Sequence, residues 1–148
     1  MATSTLIQSL IPGAAANQSA RSKRQTFLAG GTIAAGQFVS LDSSKTGADR
    51  ALYVKVVDTS GGAIAIGVPT VGVALAAAVA GEKVVVTVAG YAENASVGTA
   101  TTIDLALTID GTTSGRASIA AAANVNICAI ALENATSNTA DVWVIPSM

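Results

Sequence analysis

Short β-branched runs separated by turn residues dominate the chain from Phe27 onward, and this pattern constrains the fold more than any other feature. Runs of this length, rich in Val, Ile and Thr, are typical of strands in a sandwich or barrel. Ser60-Gly61-Gly62, Asp110-Gly111 and Ser114-Gly115 supply residues that suit tight turns. We therefore predict an all-β fold, a small β-barrel or β-sandwich. The predicted strands are residues 38–41, 52–57, 63–68, 71–76, 83–89, 104–109, 117–120, 126–133 and 141–145.

The predicted strands fall into two similar sets, which indicates an internal duplication. The aligned pairs are residues 38–42 with 106–110, 50–51 with 116–117, 71–75 with 128–132, and 84–88 with 142–146. The offset between the two sets falls along the chain, so the first unit, about residues 31–90, holds more residues than the second, about 97–147. A chain rich in Ala, Val and Thr also aligns with itself by chance. The sequence alone leaves both explanations open.

Residues 1–28 differ in character and are predicted to form an N-terminal arm ahead of a β-rich body at 29–148. Thr5-Leu6-Ile7-Gln8 resembles a helix capping box, and Pro12-Gly13 ends the short helix that it would start. The apolar quartet shares one face of that helix and consists of Leu6, Ile7, Leu10 and Ile11. The basic cluster follows and consists of Arg21, Lys23 and Arg24. We expect both groups to contact a neighbouring subunit or a larger assembly; a frayed terminus and an ordinary solvated segment are the alternatives.

The composition argues that the chain associates with other chains. Hydrophobic residues make up 51% of the sequence, whereas aromatic residues supply 3% and charged residues 11%. A core of Ala and Val gains less free energy per position than one containing aromatic rings. Contacts with neighbouring subunits would supply the difference. Tyr91 and Trp143 are rare aromatics that could anchor an oligomer interface, although core packing is an equal alternative for Trp143.

The sequence lacks the residues on which most enzyme and metal sites depend. It contains no His, which removes the usual general base and the commonest metal ligand. The single Cys128 lies in an apolar run and is predicted to be buried, and the nine acidic residues are scattered. We therefore expect no enzymatic activity, no catalytic residue, no metal and no cofactor.

Charge and hydropathy also argue against nucleic acid and membrane as partners. A formal net charge of −1 gives no general attraction for nucleic acid. Residues 63–80 are almost wholly apolar, but Gly67, Pro69 and Gly72 interrupt the segment, and its bulk is Ala and Val. Buried strands explain this segment better than a membrane-spanning helix does.

Three short segments resemble the small capsid cement or head-decoration proteins of tailed phages. They are Gly36-Gln37-Phe38-Val39-Ser40-Leu41-Asp42, Gly115-Arg116-Ala117 and Ile130-Ala131-Leu132-Glu133-Asn134-Ala135. The similarity extends over residues 31–145, and Gln37 stands where an acidic residue is commoner. The resemblance implies a β-barrel or β-sandwich, self-association that is often trimeric, and attachment to the major capsid protein on the outer capsid surface. It implies no active-site residues.

These observations together predict a virion structural protein that decorates and stabilises a phage capsid. The alternative is a binding module of a head fibre, tail or adhesin. Such modules usually recognise their targets with clustered Trp, Tyr or Asn, and this chain has one Trp and two Tyr.

Overall fold

A computed structural model describes residues 21–58, 69–120 and 126–146. Within these residues the chain forms nine strands and one short helix, so the all-β prediction is confirmed. In chain order they are β1 (Ser22–Ala29), β2 (Phe38–Leu41), α1 (Gly47–Leu52), β3 (Tyr53–Val56), β4 (Thr70–Ala74), β5 (Lys83–Ser96), β6 (Ala106–Ile109), β7 (Ala117–Ile119), β8 (Ala129–Ala131) and β9 (Thr139–Val144).

The first five strands close into a barrel in the order β1-β3-β2-β4-β5, with β5 returning to β1. The closing pair is antiparallel and runs from Ser22 opposite Gly90 to Leu28 opposite Lys83. The β1–β3 pair is parallel, and the other pairs of the barrel are antiparallel. Closure matters because it leaves none of these five strands with an unpaired edge.

The last four strands repeat this arrangement with the second half of β5. The strand is 14 residues long, and after Gly90 it pairs with β9, which leads through β8 and β6 to β7. A parallel bridge between Val97 and Ala117 then connects the end of β5 with β7. In the second unit the later half of β5 therefore takes the place of β1, while β6, β7, β8 and β9 take the places of β2, β3, β4 and β5.

The strand registers of the two units coincide. Phe38 lies opposite Val73, and Ala106, 68 residues later, lies opposite Ile130, 57 residues later. The Gly30 N–H donates to the Val54 carbonyl, and the Gly98 N–H donates to the Ala117 carbonyl in the same way. The strand pairings and these hydrogen bonds therefore correspond between the two units.

Two of the sequence alignments between the units are wrong in detail. Residues 50–51 do not correspond to 116–117, because Leu41 lies opposite Val54 and its counterpart Ile109 lies opposite Ala117. Residues 84–88 are also displaced from 142–146, since Ala74 lies opposite Val86 and Ala131 lies opposite Val142. That displacement is two residues, which keeps each side chain on the same face of its strand.

The barrel body begins at Ser22, so the predicted arm boundary after residue 28 is wrong. β1 reads as a polar arm because most of its side chains are exposed and only Ala29 is fully buried. β1 belongs to the barrel because its backbone pairs with β5 and β3. The pattern of its side chains does not indicate this pairing. Strand β5 is also longer than predicted, and α1 was not predicted. The predicted N-terminal helix and the predicted strand at residues 63–68 lie outside the described residues.

Two hydrophobic clusters fill the two units. The first is built on Ile33, Val39, Val54, Val84 and Val86, with smaller residues between them. The second contains Leu107, Val142 and Val144 among many alanines, together with Phe38, Val57 and Val73 from the first unit. The fully buried Phe38 therefore packs the outer face of the first barrel against the second, and the two units share one continuous body.

Matching aspartate turns follow β2 in the first unit and β6 in the second. Asp42 Oδ1 accepts hydrogen bonds from the Ser44 N–H (2.9 Å) and Oγ (2.7 Å). Asp110 Oδ1 accepts them from the Thr112 N–H (2.8 Å) and Oγ1 (2.7 Å), and its Oδ2 pairs with the Arg116 guanidinium. Burial alone would raise the pKa of both carboxyl groups, but these hydrogen bonds outweigh it and lower the pKa of each. Both residues thus act in turns, as the sequence predicts for Asp110.

Candidate functional site

The outer face of the second unit carries a row of mostly apolar side chains across four strands. Tyr91 on β5 lies opposite Trp143 on β9, Trp143 lies opposite Ile130 on β8, and Ile130 lies opposite Ala106 on β6. We call these four residues the aromatic row. Their strand neighbours on the other face are buried, so the row faces outward. Trp143 lies near its centre and is 42% exposed.

A polar network fixes one end of the aromatic row. The Tyr91 hydroxyl donates to Asp141 Oδ2 (2.6 Å), and Asp141 Oδ1 accepts the Asn94 N–H (3.0 Å). Burial and the hydrogen bond to Asp141 raise the pKa of Tyr91, so its hydroxyl remains a donor at any physiological pH. The Asp141 N–H in turn donates to Glu133 Oε1 (3.0 Å). The ring of Tyr91 is therefore held in place by contacts within the chain.

A second apolar surface lies at one end of the first barrel, which we call the mouth. β1 and β3 begin there and β2 ends there, so side chains that point into the barrel become accessible. The mouth is a cavity of about 490 Å³. Its lining combines an apolar floor with a polar rim and comprises Phe27, Leu41, Val71, Val88, Ala89, Ala51, Pro146, Thr70, Gln25 and Lys23.

A neighbouring cavity of about 400 Å³ joins the mouth to the aromatic row. It is lined by Arg21, Trp143 and other residues, and it shares Lys23, Ala89 and Pro146 with the mouth. The point where the described chain begins, the central tryptophan and the open end of the barrel therefore form one continuous surface.

Some of the predicted contact residues lie on this surface and others do not. Tyr91 and Trp143 are cross-strand neighbours, and the exposure of Trp143 contradicts the alternative that it packs in the core. Arg21 and Lys23 line the cavities, whereas Arg24 is exposed on β1 and lines neither. The basic cluster is thus divided between surfaces. The apolar quartet, Leu6, Ile7, Leu10 and Ile11, lies outside the described residues.

Sequence reasoning missed the aliphatic members of both surfaces. Ile130 was assigned to a strand without a facing direction, and its position opposite Trp143 depends on the register of three strands. Phe27 and Val88 come together at the mouth only because β1 closes the barrel against β5. Alternation along β5 could have placed Val88 on the inner face, but the pairing of β1 had no sequence signal.

No metal-binding cluster appears in the part of the chain that the structure describes. It contains no group of three or more His, Cys, Asp or Glu side chains arranged around a metal. Cys128 is buried and donates its thiol to the Leu107 carbonyl (3.3 Å), and burial raises its pKa to about 12. Among these residues no helix is long and apolar enough to span a membrane.

The fold has a counterpart among solved structures of phage proteins. The crystal structure of the head fiber gp8.5 N base in bacteriophage phi29 superposes with a TM-score of 0.54 at 15% sequence identity. The match covers 84% of this chain and 95% of that chain. At this identity the comparison establishes a shared fold. No protein-family model matches the sequence, and no curated protein matches it.

Proposed function

We propose that the chain is a structural protein of a phage virion that decorates and stabilises the outer surface of the capsid. The observation that carries this proposal is the fold shared with a phage head fiber base over nearly the whole of that chain. The segments that resemble capsid cement proteins support the same conclusion. In this proposal the chain binds the major capsid protein and further copies of itself, it has no enzymatic activity, and it needs no cofactor.

Self-association is proposed to use the aromatic row. An exposed tryptophan flanked by a fixed tyrosine and an aliphatic residue has the composition of an interface hot spot. About 100 Å² of a tryptophan remains accessible at 42% exposure. Burying that area is worth about 2.5 kcal/mol, a factor of about 70 in a dissociation constant. The resemblance to cement proteins favours a trimer.

A mass measurement on one variant tests the aromatic row. We expect Trp143→Thr, which keeps β propensity and removes the ring, to weaken the oligomer by about 70-fold in sedimentation velocity at graded concentrations. Val79→Thr is the matched control, since Val79 is 54% exposed and lies outside the row. Equal behaviour of the two variants would show that the row is not the interface.

Capsid binding is the direct test of the proposed function. Purified chain is added to capsids of the encoding phage that lack it, and the capsids are sedimented. We expect saturable binding and a higher temperature for capsid disruption. A variant lacking residues 2–20 keeps β1, which begins at Ser22, and therefore tests the arm without cutting the barrel. Capsids that sediment without bound chain would contradict the proposal.

A head-fibre base is the second candidate, and the fold match itself favours it. The two functions differ in what the surface-bound chain supports. A decoration protein completes the shell by itself, whereas a fibre base holds a projecting partner. Electron microscopy of virions labelled with an antibody against the chain separates them: even coverage of the shell indicates decoration, and label confined to the feet of fibres indicates a base.

A further inference from the structure

The two units differ in how they close the same end of the barrel. In the first unit, Phe27, Leu41 and Val88 at the mouth are only half-buried. Their counterparts in the second unit are Ala95, Ile109 and Val144, and all three are buried. The same strand arrangement thus yields one completed end and one that retains a cavity of about 490 Å³. Among the described residues, no apolar side chain fills the first mouth in the way that the second end is filled.

We propose that the mouth of the first barrel receives the apolar quartet of a second copy of this chain. The inference rests on the proposed self-association and names the contact that links one copy to the next. The quartet, Leu6, Ile7, Leu10 and Ile11, offers four aliphatic side chains within six residues, and residues 1–20 carry no charged side chain. An uncharged aliphatic segment matches this apolar floor, and the charged Lys23 stands at the rim.

The place where the chain enters the barrel supports this occupant. β1 begins at the mouth and runs away from it, so the residues before Arg21 start at the rim. Nine residues separate Ile11 from Arg21, and nine extended residues span up to about 30 Å. That reach is sufficient to carry the quartet from its own rim to the mouth of an adjacent subunit.

The aromatic row favours another copy as the owner of the receiving mouth. Arg21 and Trp143 line the same cavity, and this cavity shares Lys23 and Pro146 with the mouth. A second copy held against Trp143 would therefore stand beside both the departing chain and the open mouth. If each copy donates its quartet to the next, a closed ring such as a trimer leaves no mouth unfilled.

Disulfide trapping between two singly substituted full-length chains tests the exchange. A chain with Leu10→Cys is mixed with an isotopically labelled chain with Leu41→Cys, and the mixture is oxidised gently. We expect a disulfide-linked dimer that contains one labelled and one unlabelled chain. The native Cys128 is buried and does not compete. Gln25→Cys at the exposed rim of the same mouth repeats the test without touching the barrel interior.

Val85→Cys is the matched control, because Val85 is exposed between the buried Val84 and Val86 and thus faces away from the barrel interior. Linkage to position 85 as strong as to positions 41 and 25 would overturn the inference. A chain carrying both Leu10→Cys and Leu41→Cys that closes a disulfide within itself would overturn it as well, because the quartet would then occupy its own mouth. An oligomer in sedimentation without any trapped dimer refutes only this inference, whereas a monomer refutes the proposed self-association.

Discussion

Gly90 is the point at which the two units share a strand, and replacing it with alanine should damage the barrel. Its φ is +86°, a conformation that costs an L-residue about 1 kcal/mol. A Cβ at this position would also overlap the carbonyl oxygen of Arg21 and press on the Cα of Ser22. To relieve the overlap, the start of β1 must move away from β5.

The expected cost follows from these two effects. Moving β1 away at Ser22 and Lys23 removes two or three backbone hydrogen bonds, each worth about 1 kcal/mol net. With the φ strain, Gly90→Ala should lower the free energy of unfolding by about 3 to 4 kcal/mol. Domains of this size are stable by about 5 to 15 kcal/mol, so the variant should fold but unfold at much lower denaturant. Urea unfolding followed by Trp143 fluorescence measures the difference.

Two other glycines serve as controls that separate the φ strain from the overlap of the added Cβ with β1. Gly81 has a φ of +87° with nothing near its added Cβ, so Gly81→Ala should cost only the strain, about 1 kcal/mol. Gly31 has neither positive φ nor a neighbour within 4 Å, so Gly31→Ala should change stability by less than about 0.5 kcal/mol. If Gly90→Ala is no more damaging than Gly81→Ala, then β1 does not close against β5 as described.

Three further predictions concern buried polar groups. Thr87 Oγ1 is buried without a hydrogen-bond partner among the described residues, so Thr87→Val should raise the free energy of unfolding by about 1 kcal/mol, and a loss in urea unfolding would mean that the hydroxyl is bonded. The lowered pKa values of Asp42 and Asp110 stabilise the fold above the unfolded-state pKa near 3.8, and this contribution disappears as pH falls through the folded-state values. The thermal unfolding temperature should therefore fall below about pH 4. Asp110→Asn should make this fall with pH less steep, and an equally steep fall would show that Asp110 does not contribute to it. Cys128, with its pKa near 12, should resist thiol reagents at pH 8 until the chain is unfolded, and rapid native labelling would show that the second core is open.

The short runs of apolar and β-branched residues could be predicted from sequence to form strands, because these residue types favour extended backbone. β2 has the predicted bounds, and β6 ends where predicted. The repeat was also visible, since both units must place apolar residues at the same inward positions. The Asp42 and Asp110 turns could be predicted because a carboxylate that accepts hydrogen bonds two residues on is a local interaction.

β1 and the mouth could not be predicted, because both depend on contacts between distant parts of the chain. Lys23, Arg24 and Gln25 give β1 a polar sequence, yet backbone hydrogen bonds to β5 make it a barrel strand. The facing direction of Trp143 could not be predicted for the same reason. A single aromatic residue faces inward or outward according to the register of β9, which is set by its neighbours β5 and β8.

The oligomeric mass of the unmodified chain tests most directly the claim that neighbouring subunits complete this protein. Native mass spectrometry and sedimentation at micromolar concentration should give a closed oligomer, with a trimer favoured. Its thermal unfolding temperature should rise with protein concentration, because association stabilises the folded subunit. A monomer whose unfolding temperature is independent of concentration, and which does not sediment with phage capsids, would contradict the account.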